Sequence, residues 1–113
     1  MSTTRVARPA KQPELVDGAA LSRALTALGD PTRQAIIILL SREQLTVSQL
    51  SERFDLSRPA ISHQLKVLLD AGVLRRERHG RERVYRVDAG ACREFVGRLR
   101  EFVDACCSGQ QCC

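Results

Sequence analysis

The stretch LTVSQLSERFDLSRPAISHQLKVLLDAG, residues 45–72, decides the fold class of this chain. It holds two apolar patterns with helical spacing, separated by the short segment DLS. Thr46 precedes the first pattern and Ser57 the second, and both residue types favour the N-cap of a helix. Gly72 ends the second pattern. Two short helices joined by a few residues are the signature of a helix-turn-helix.

Two more helices are predicted before this pair. Apolar residues recur at helical spacing from Leu15 onward, and Gly29 ends that pattern. In the motif GDPTR, Asp30 suits an N-cap and Pro31 suits the first helical position, where no N–H group is needed. The helix that follows extends to about Leu40 and is nearly all apolar, so we expect it to be central.

After the pair, the pattern becomes alternating. The segment VLRRERHGRERVYRV, residues 73–87, predicts two short strands that reverse at His79 and Gly80, with positive φ at Gly80. The segment ACREFVGRLREFVDACC, residues 91–107, predicts a last helix. The sequence therefore predicts a mainly α fold with a small β-hairpin: about five helices and two strands.

The length of 113 residues indicates one domain. We predict a loose arm at residues 1–14, the folded domain at 15–105 and a cysteine-rich tail at 106–113. No apolar run approaches the roughly 18–20 residues of a membrane span, and the N-terminus lacks the apolar segment of a secretory signal. We therefore expect no membrane partner and a cytoplasmic protein, in which thiols stay reduced.

Positive charge is concentrated in the hairpin. The chain carries a formal net charge of +5, and between residues 75 and 86 six arginines oppose two glutamates, which leaves +4 there. Such a hairpin beside a helix-turn-helix suits contacts with phosphates and the minor groove, although a solvated hairpin without a partner is the alternative. Aromatic residues make up 4% of the chain, which argues against a protein that stacks single-stranded bases.

The second helix of the pair is expected to enter the major groove with its N-terminal end leading. Its polar side chains can hydrogen-bond to base edges or phosphates. The predicted DNA-binding residues of this helix and the hairpin are Ser57, Arg58, Ser62, His63, Gln64, Lys66, Arg78, Arg81 and Arg83. Ser57 has an alternative role as the helix cap, and His63 either contacts DNA or supports the helix.

With these features, the span Leu28–Val87, slightly more than half of the chain, resembles the core of the ArsR/SmtB family of metal-sensing repressors. The motifs that carry the resemblance are LGDPTR, SRPAISHQLKVLLDAGVL and the arginine-rich GRERVYRV. The resemblance implies a winged helix-turn-helix in which the hairpin is the wing. It also implies a homodimer that binds double-stranded operator DNA and releases it on binding a metal or metalloid ion.

A dimer also suits the apolar stripes of the first and last helices. A single small domain covers both stripes poorly, whereas across a two-fold axis they cover each other. The predicted interface residues are Leu21, Leu25, Phe95, Leu99 and Phe102.

Two ion sites of other family members are absent from this sequence. The arsenic-sensing pattern ELCVCDL is matched by QLTVSQL, so Thr46 and Ser48 replace the two cysteines, and hydroxyls are poor ligands for a soft ion. The zinc-type site on the last helix requires a histidine there, and the predicted last helix contains none.

The segment CCSGQQCC, residues 106–113, resembles the C-terminal cysteine cluster of some arsenic-responsive members. The resemblance implies As(III) or Sb(III) held by three thiolates, with no organic cofactor. The candidate ligands are Cys106, Cys107, Cys112 and Cys113. Adjacent cysteines on a helix point about 100° apart, so they converge only if the helix ends there, and Ser108–Gly109 supplies a break. We favour Cys112 as the third ligand, with Cys113 a close substitute.

Other functions of the thiols stay open at this point. Four thiolates also suit tetrahedral Zn²⁺ or Cd²⁺, and oxidation to disulfides would give a redox-sensing repressor of the same fold. A thiol enzyme is disfavoured, because no cysteine follows a strand in a βαβ pattern and no acid or base lies near the cluster. Cys92 reads as a buried small apolar residue, with participation across a dimer as the alternative.

Overall fold

The computed structural model describes residues 18–107. The elements, in chain order, are α1 (Gly18–Leu28), α2 (Pro31–Leu40), α3 (Val47–Phe54), α4 (Arg58–Asp70), β1 (Leu74–His79), β2 (Glu82–Val87) and α5 (Ala89–Cys106). This confirms the predicted mainly α fold with one hairpin. The predicted arm and residues 108–113 of the predicted tail lie outside the described residues, and α5 includes Cys106, the first residue of that tail.

Short polar side chains begin the helices, as the sequence indicates. The Asp30 carboxylate accepts a hydrogen bond from the Arg33 backbone N–H at 3.0 Å, and Pro31 follows in the first turn of α2. Thr46 and Gln49 form a reciprocal capping box at the start of α3. At the last helix, Asp88 is the N-cap, so α5 begins two residues earlier than the sequence predicts.

The core is formed mainly by one face each of α2, α3 and α4. The largest fully buried side chains are Ile36, Leu50, Ile61, Leu65 and Leu68. The central position expected for α2 holds for one side of that helix: Ile36 is fully buried, whereas Ile38 is 55% exposed. Residues two apart on a helix point about 200° apart, so an all-apolar sequence still presents apolar side chains to the surface.

The hairpin is anchored at its base and exposed at its tip. β1 and β2 pair antiparallel, and Gly80 has the expected positive φ of 68° in the two-residue connection. The backbones of Leu45 and Tyr85 exchange two hydrogen bonds, at 2.9 and 3.3 Å, which join β2 to the segment before α3. Residues 78–83 are exposed, so the tip is accessible to a ligand.

No helix within residues 18–107 combines the length and the apolar character needed to cross a membrane.

The two isoleucines of α2 provide a test of this core. Ile36→Ala should lower the free energy of unfolding by about 2–5 kcal/mol, because it removes fully buried methyl groups and leaves a cavity. Ile38→Ala, a matched change at an exposed position, should alter it by less than about 0.5 kcal/mol. Urea denaturation followed by circular dichroism measures both, and equal losses would contradict this packing.

Candidate nucleic-acid interface

The turn between α3 and α4 has a fixed geometry. Asp55 takes the left-handed conformation, with φ of 52°, and the Leu56 N–H donates to the Ser51 carbonyl oxygen at 3.2 Å. The Ser51 hydroxyl donates in turn to the Leu56 carbonyl oxygen. Ser57 then caps α4 by accepting from the Ala60 N–H at 3.2 Å. These local bonds set the angle at which α4 leaves α3.

The polar side of α4 is open to solvent. Ser57, Arg58, Ser62, His63 and Lys66 are all exposed, on the side opposite the buried stripe. The Lys66 ammonium lies 3.3 Å from the Asp70 carboxylate, but both groups are well exposed, so this pair is weak and leaves Lys66 available.

Gln64 differs from the other predicted residues of α4. It is half-buried, and its side-chain oxygen accepts a hydrogen bond from the Arg33 guanidinium at 2.9 Å. Its carbonyl oxygen is therefore engaged inside the protomer, and the amide nitrogen is the group left for an outside partner.

The strand register divides the wing arginines between two faces. Directly paired residues share a face of a hairpin, and neighbours along a strand point to opposite faces. The pairs Arg76↔Tyr85 and Arg78↔Arg83 therefore put three arginines on one face, which we call the cationic face. No carboxylate of either strand lies on it.

The opposite face is internally neutralised. An Arg86 nitrogen lies 2.8 Å from a Glu77 carboxylate oxygen, and the hydrogen bond from Arg86 lowers the pKa of Glu77, so that carboxylate stays charged. Arg75 lies 3.5 Å from the Asp88 carboxylate. By contrast, Arg76, Arg81 and Arg83 form no ion pair with any residue between 18 and 107. Among residues 18–107, the positive charge of the wing that lacks an ion-pair partner is thus concentrated on the cationic face and the tip.

A groove of about 550 Å³ separates α4 from the wing. Its polar lining includes Ser62 and Lys66 from α4, with Arg76 and Arg83 from the cationic face. Arg76 is not among the residues predicted from the sequence, because its position beside α4 follows from the strand register. Of the predicted wing residues, Arg83 lines this groove, while Arg78 and Arg81 lie at the exposed tip.

The apolar sides of α1 and α5 are partly uncovered. No α5 residue is fully buried within the described protomer, and Val96 is 60% exposed. Among the predicted interface residues, Leu25 and Phe102 are exposed, and Phe95 and Leu99 are half-buried. Leu21 is instead buried within its own protomer, so it lies beneath this surface and is not exposed on it.

The end of α5 carries two of the predicted ligands. Cys106 is the last helical residue and is exposed, and Cys107 is the half-buried C-cap, with φ of −104° and ψ of 16°. Cys112 and Cys113 lie outside the described residues. Within residues 18–107, no three potential ligands cluster closely enough to hold a metal ion.

Cys92 lies far from this pair. It precedes Cys106 by 14 residues in the same helix, roughly 21 Å at 1.5 Å per residue. It is half-buried and packs against the core. Burial is the main cause that raises the pKa of its thiol, and the negative charge of Asp88 raises it further. A raised pKa disfavours the thiolate that binds soft ions, which agrees with a packing role.

Similarity to known proteins covers the same region. Residues 30–76 match the family described as bacterial regulatory protein, arsR family. The arsenical resistance operon repressor of Staphylococcus xylosus is 31% identical over 93 residues, covering 82% of this chain and 86% of that protein. The HTH-type transcriptional repressor SmtB of Mycobacterium tuberculosis (strain H37Rv) is 40% identical over 80 residues, covering 70% of this chain and 58% of that protein.

Solved structures agree with the sequence relatives. An ArsR-like transcriptional regulator from Rhodococcus sp. RHA1 superposes with a TM-score of 0.69 at 31% identity, covering 74% of this chain and 79% of that one. The resemblance found in the sequence is therefore confirmed, as is the prediction that the protein is not an enzyme. The chain belongs to the ArsR family of bacterial regulatory proteins and is a transcriptional repressor with a winged helix-turn-helix.

Proposed function

We propose that this repressor responds to a metalloid: it binds operator DNA as a homodimer and leaves it when As(III) or Sb(III) binds thiolates at the end of α5. The observation that carries the proposal is the helix end itself. α5 stops at Cys106, Cys107 follows outside the helix, and two further cysteines follow within six residues. The name of the Staphylococcus xylosus relative, an arsenical resistance operon repressor, supports the same ligand class.

The backbone at the helix end suits convergent thiolates. Within a helix, adjacent side chains diverge by about 100°, which would keep two neighbouring sulfurs apart. The ψ of 16° at Cys107 departs from helical values and so releases its side chain from that spacing. Soft thiolates favour a thiophilic ion, and As(III) takes three of them in a pyramidal arrangement. Cys112 or Cys113 would supply the third.

Operator binding is supported by the surface that α4 and the wing share. The exposed polar side of α4 has the size and chemistry to enter a major groove. The cationic face continues it with three arginines, and no carboxylate of the two strands lies on that face. Phosphate contacts from this face would hold the register of α4 on the duplex.

A homodimer is supported by the uncovered apolar surface of α1 and α5. Leu25, Val96, Phe102 and Val103 are between 44% and 60% exposed. Exposed large apolar residues grouped on α1 and one face of α5 of a small protein mark an interaction surface. A winged helix-turn-helix domain from Mycobacterium bovis with the same fold is homodimeric.

The same four cysteines favour a second candidate, a repressor that senses Zn²⁺ or Cd²⁺. Four thiolates form a complete tetrahedral set for these ions, whereas As(III) needs three. Oxidation of the thiols to disulfides is a third mode of sensing for the same segment. Titration of the reduced, operator-bound protein with As(III), Sb(III), Zn²⁺, Cd²⁺ and peroxide, followed by DNA release, separates the three modes.

The two faces of the wing predict opposite effects of matched arginine substitutions. Arg83→Ala removes a charge from the cationic face, so it should weaken DNA binding several-fold and reduce the salt slope by about 1. Arg75→Ala removes the same charge from the neutralised face and should change both quantities little. Fluorescence anisotropy over a range of salt concentrations measures them. Equal effects would show that the register does not select the DNA-facing arginines.

The terminal thiols should be needed for release but not for repression. Cys106→Ser and Cys107→Ser should each bind operator DNA like the parent protein. Each should raise the As(III) concentration for half-release by more than about tenfold, or ~1.4 kcal/mol, because the ion loses one of the two thiolates held at the end of α5. Electrophoretic mobility shifts measure this release.

Cys92→Ser is the matched control for the thiol substitutions. It replaces a cysteine of the same helix that lies far from the helix end, so release should follow the parent's As(III) dependence. If the double variant Cys106→Ser, Cys107→Ser still released DNA at the parent's As(III) concentration, the sensing site would lie elsewhere.

The dimer surface is tested by placing a charge on it. Phe102→Glu should yield monomers at micromolar concentration in analytical ultracentrifugation, because burying an unpaired carboxylate in an apolar interface costs several kcal/mol. Ile38→Glu changes a similarly exposed apolar residue on α2 and should leave the dimer intact. Loss of the dimer in the Ile38 variant instead would place the interface on α2.

A further inference from the structure

The guanidinium of Arg33 joins three helices. Arg33 lies in the first turn of α2, and its Nε donates to the Ala27 carbonyl oxygen at 2.7 Å. Nη2 donates to the Thr26 carbonyl oxygen at 3.2 Å, and Nη1 donates to Gln64 Oε1 at 2.9 Å. All three nitrogens are therefore bonded, two to the end of α1 and one to α4.

The contacts with α1 fix the orientation of the guanidinium. The last carbonyl groups of a helix have no partner within the helix and carry the negative end of its dipole, so a cation is favoured there. Because the guanidinium is a planar, rigid fork, two bonds to successive carbonyls determine where the third nitrogen points. The position of Nη1 therefore follows the position of the end of α1.

The contact with α4 lies on the inner side of that helix. Gln64 is half-buried between the fully buried Ile61 and Leu68, three residues before it and four after it. Farther along the same helices, an open groove of about 320 Å³ lies between α1 and α4, lined by Thr26, Val67 and other residues. Arg33 therefore adds a polar link between the end of α1 and the inner side of α4.

We propose that Arg33 is a positioning residue for operator binding: through Gln64 it sets the orientation of α4 relative to the end of α1. In this proposal Gln64 holds α4 in position and does not contact base edges, because its side-chain oxygen bonds to Arg33 inside the protomer. Since α1 carries part of the apolar surface assigned to the dimer, this link transmits changes at that surface to α4. The inference rests on the proposed function in requiring a dimer that binds DNA, and it does not depend on which ion is sensed.

A double-mutant cycle on DNA affinity tests the link. Arg33→Lys keeps the charge but loses the fork, and Gln64→Met keeps the side-chain volume but loses the acceptor. Each should weaken binding to a duplex selected from a random-sequence pool by the parent protein, by about tenfold. The double variant should be no weaker than either single variant, because both remove the same bond. Affinity for a random duplex, which depends on phosphate contacts, should change little.

Gln34→Leu is the matched control. Gln34 also donates to a carbonyl at the end of α1, that of Leu28 at 2.7 Å, but no bond from its side chain to α4 is found among the described residues. This variant should lose thermal stability like Arg33→Lys and bind the selected duplex like the parent. The comparison separates loss of stability from loss of orientation, and Gln64→Met, which leaves the α1 contacts intact, covers the case in which Arg33→Lys folds poorly.

Two results would overturn the inference. If the losses of the single variants multiply in the double variant, Arg33 and Gln64 act separately and Gln64 contacts DNA itself. If melting temperatures fall while affinity for the selected duplex is unchanged, Arg33 is a structural residue with no positioning role. A parent protein that binds the duplex but is not released by As(III) would refute the proposed metalloid response. The double-mutant cycle on DNA affinity would still test the role of Arg33.

Discussion

Burial of one stripe of α4 is the constraint on which the rest of the structure depends. Ile61, Leu65 and Leu68 are almost completely removed from water, while the opposite side of the same helix is polar and exposed. A helix that belongs both to the core and to the proposed DNA-binding surface cannot shift without disturbing the packing. The α3–α4 turn, the Arg33 contact and the hairpin base each fix a different part of this arrangement.

In the wing, the strand register decides on which face of the hairpin each arginine lies. Arg75 and Arg86 pair with each other across the strands, and so do Arg78 and Arg83, and like charges directly opposite are destabilising. Glu77 and Asp88 relieve the first pair. No carboxylate of the strands relieves the second pair. In the proposed DNA complex, a phosphate would relieve the repulsion between these two arginines. The proposed binding would therefore gain free energy at the arginine pair whose charges are not balanced within the hairpin.

Features that depend on near neighbours were predictable from the sequence, and those that depend on distant parts of the chain were not. Capping by Asp30 and Thr46 involves residues within three positions, and the positive φ at Gly80 is a property of that one position. By contrast, the place of Arg76 beside α4 needs the strand register, and the inward turn of Gln64 needs a partner 31 residues away. The geometry of the proposed ion site is equally hard to predict from the sequence, because it depends on where α5 ends between its cysteines.

The weakly buried α5 connects these observations. A helix of 18 residues with no fully buried side chain gains little stability from its own protomer, and in the proposed homodimer the partner surface holds it in place. In the proposed response, its cysteine-bearing end is a part of the domain whose position a bound ion can change at a low cost in free energy. Because an ion shifts an equilibrium only by its differential affinity for two arrangements, a loosely held helix next to α1 is a suitable element for it to act on. Arg33 hydrogen-bonds to the end of α1 and, through Gln64, to α4.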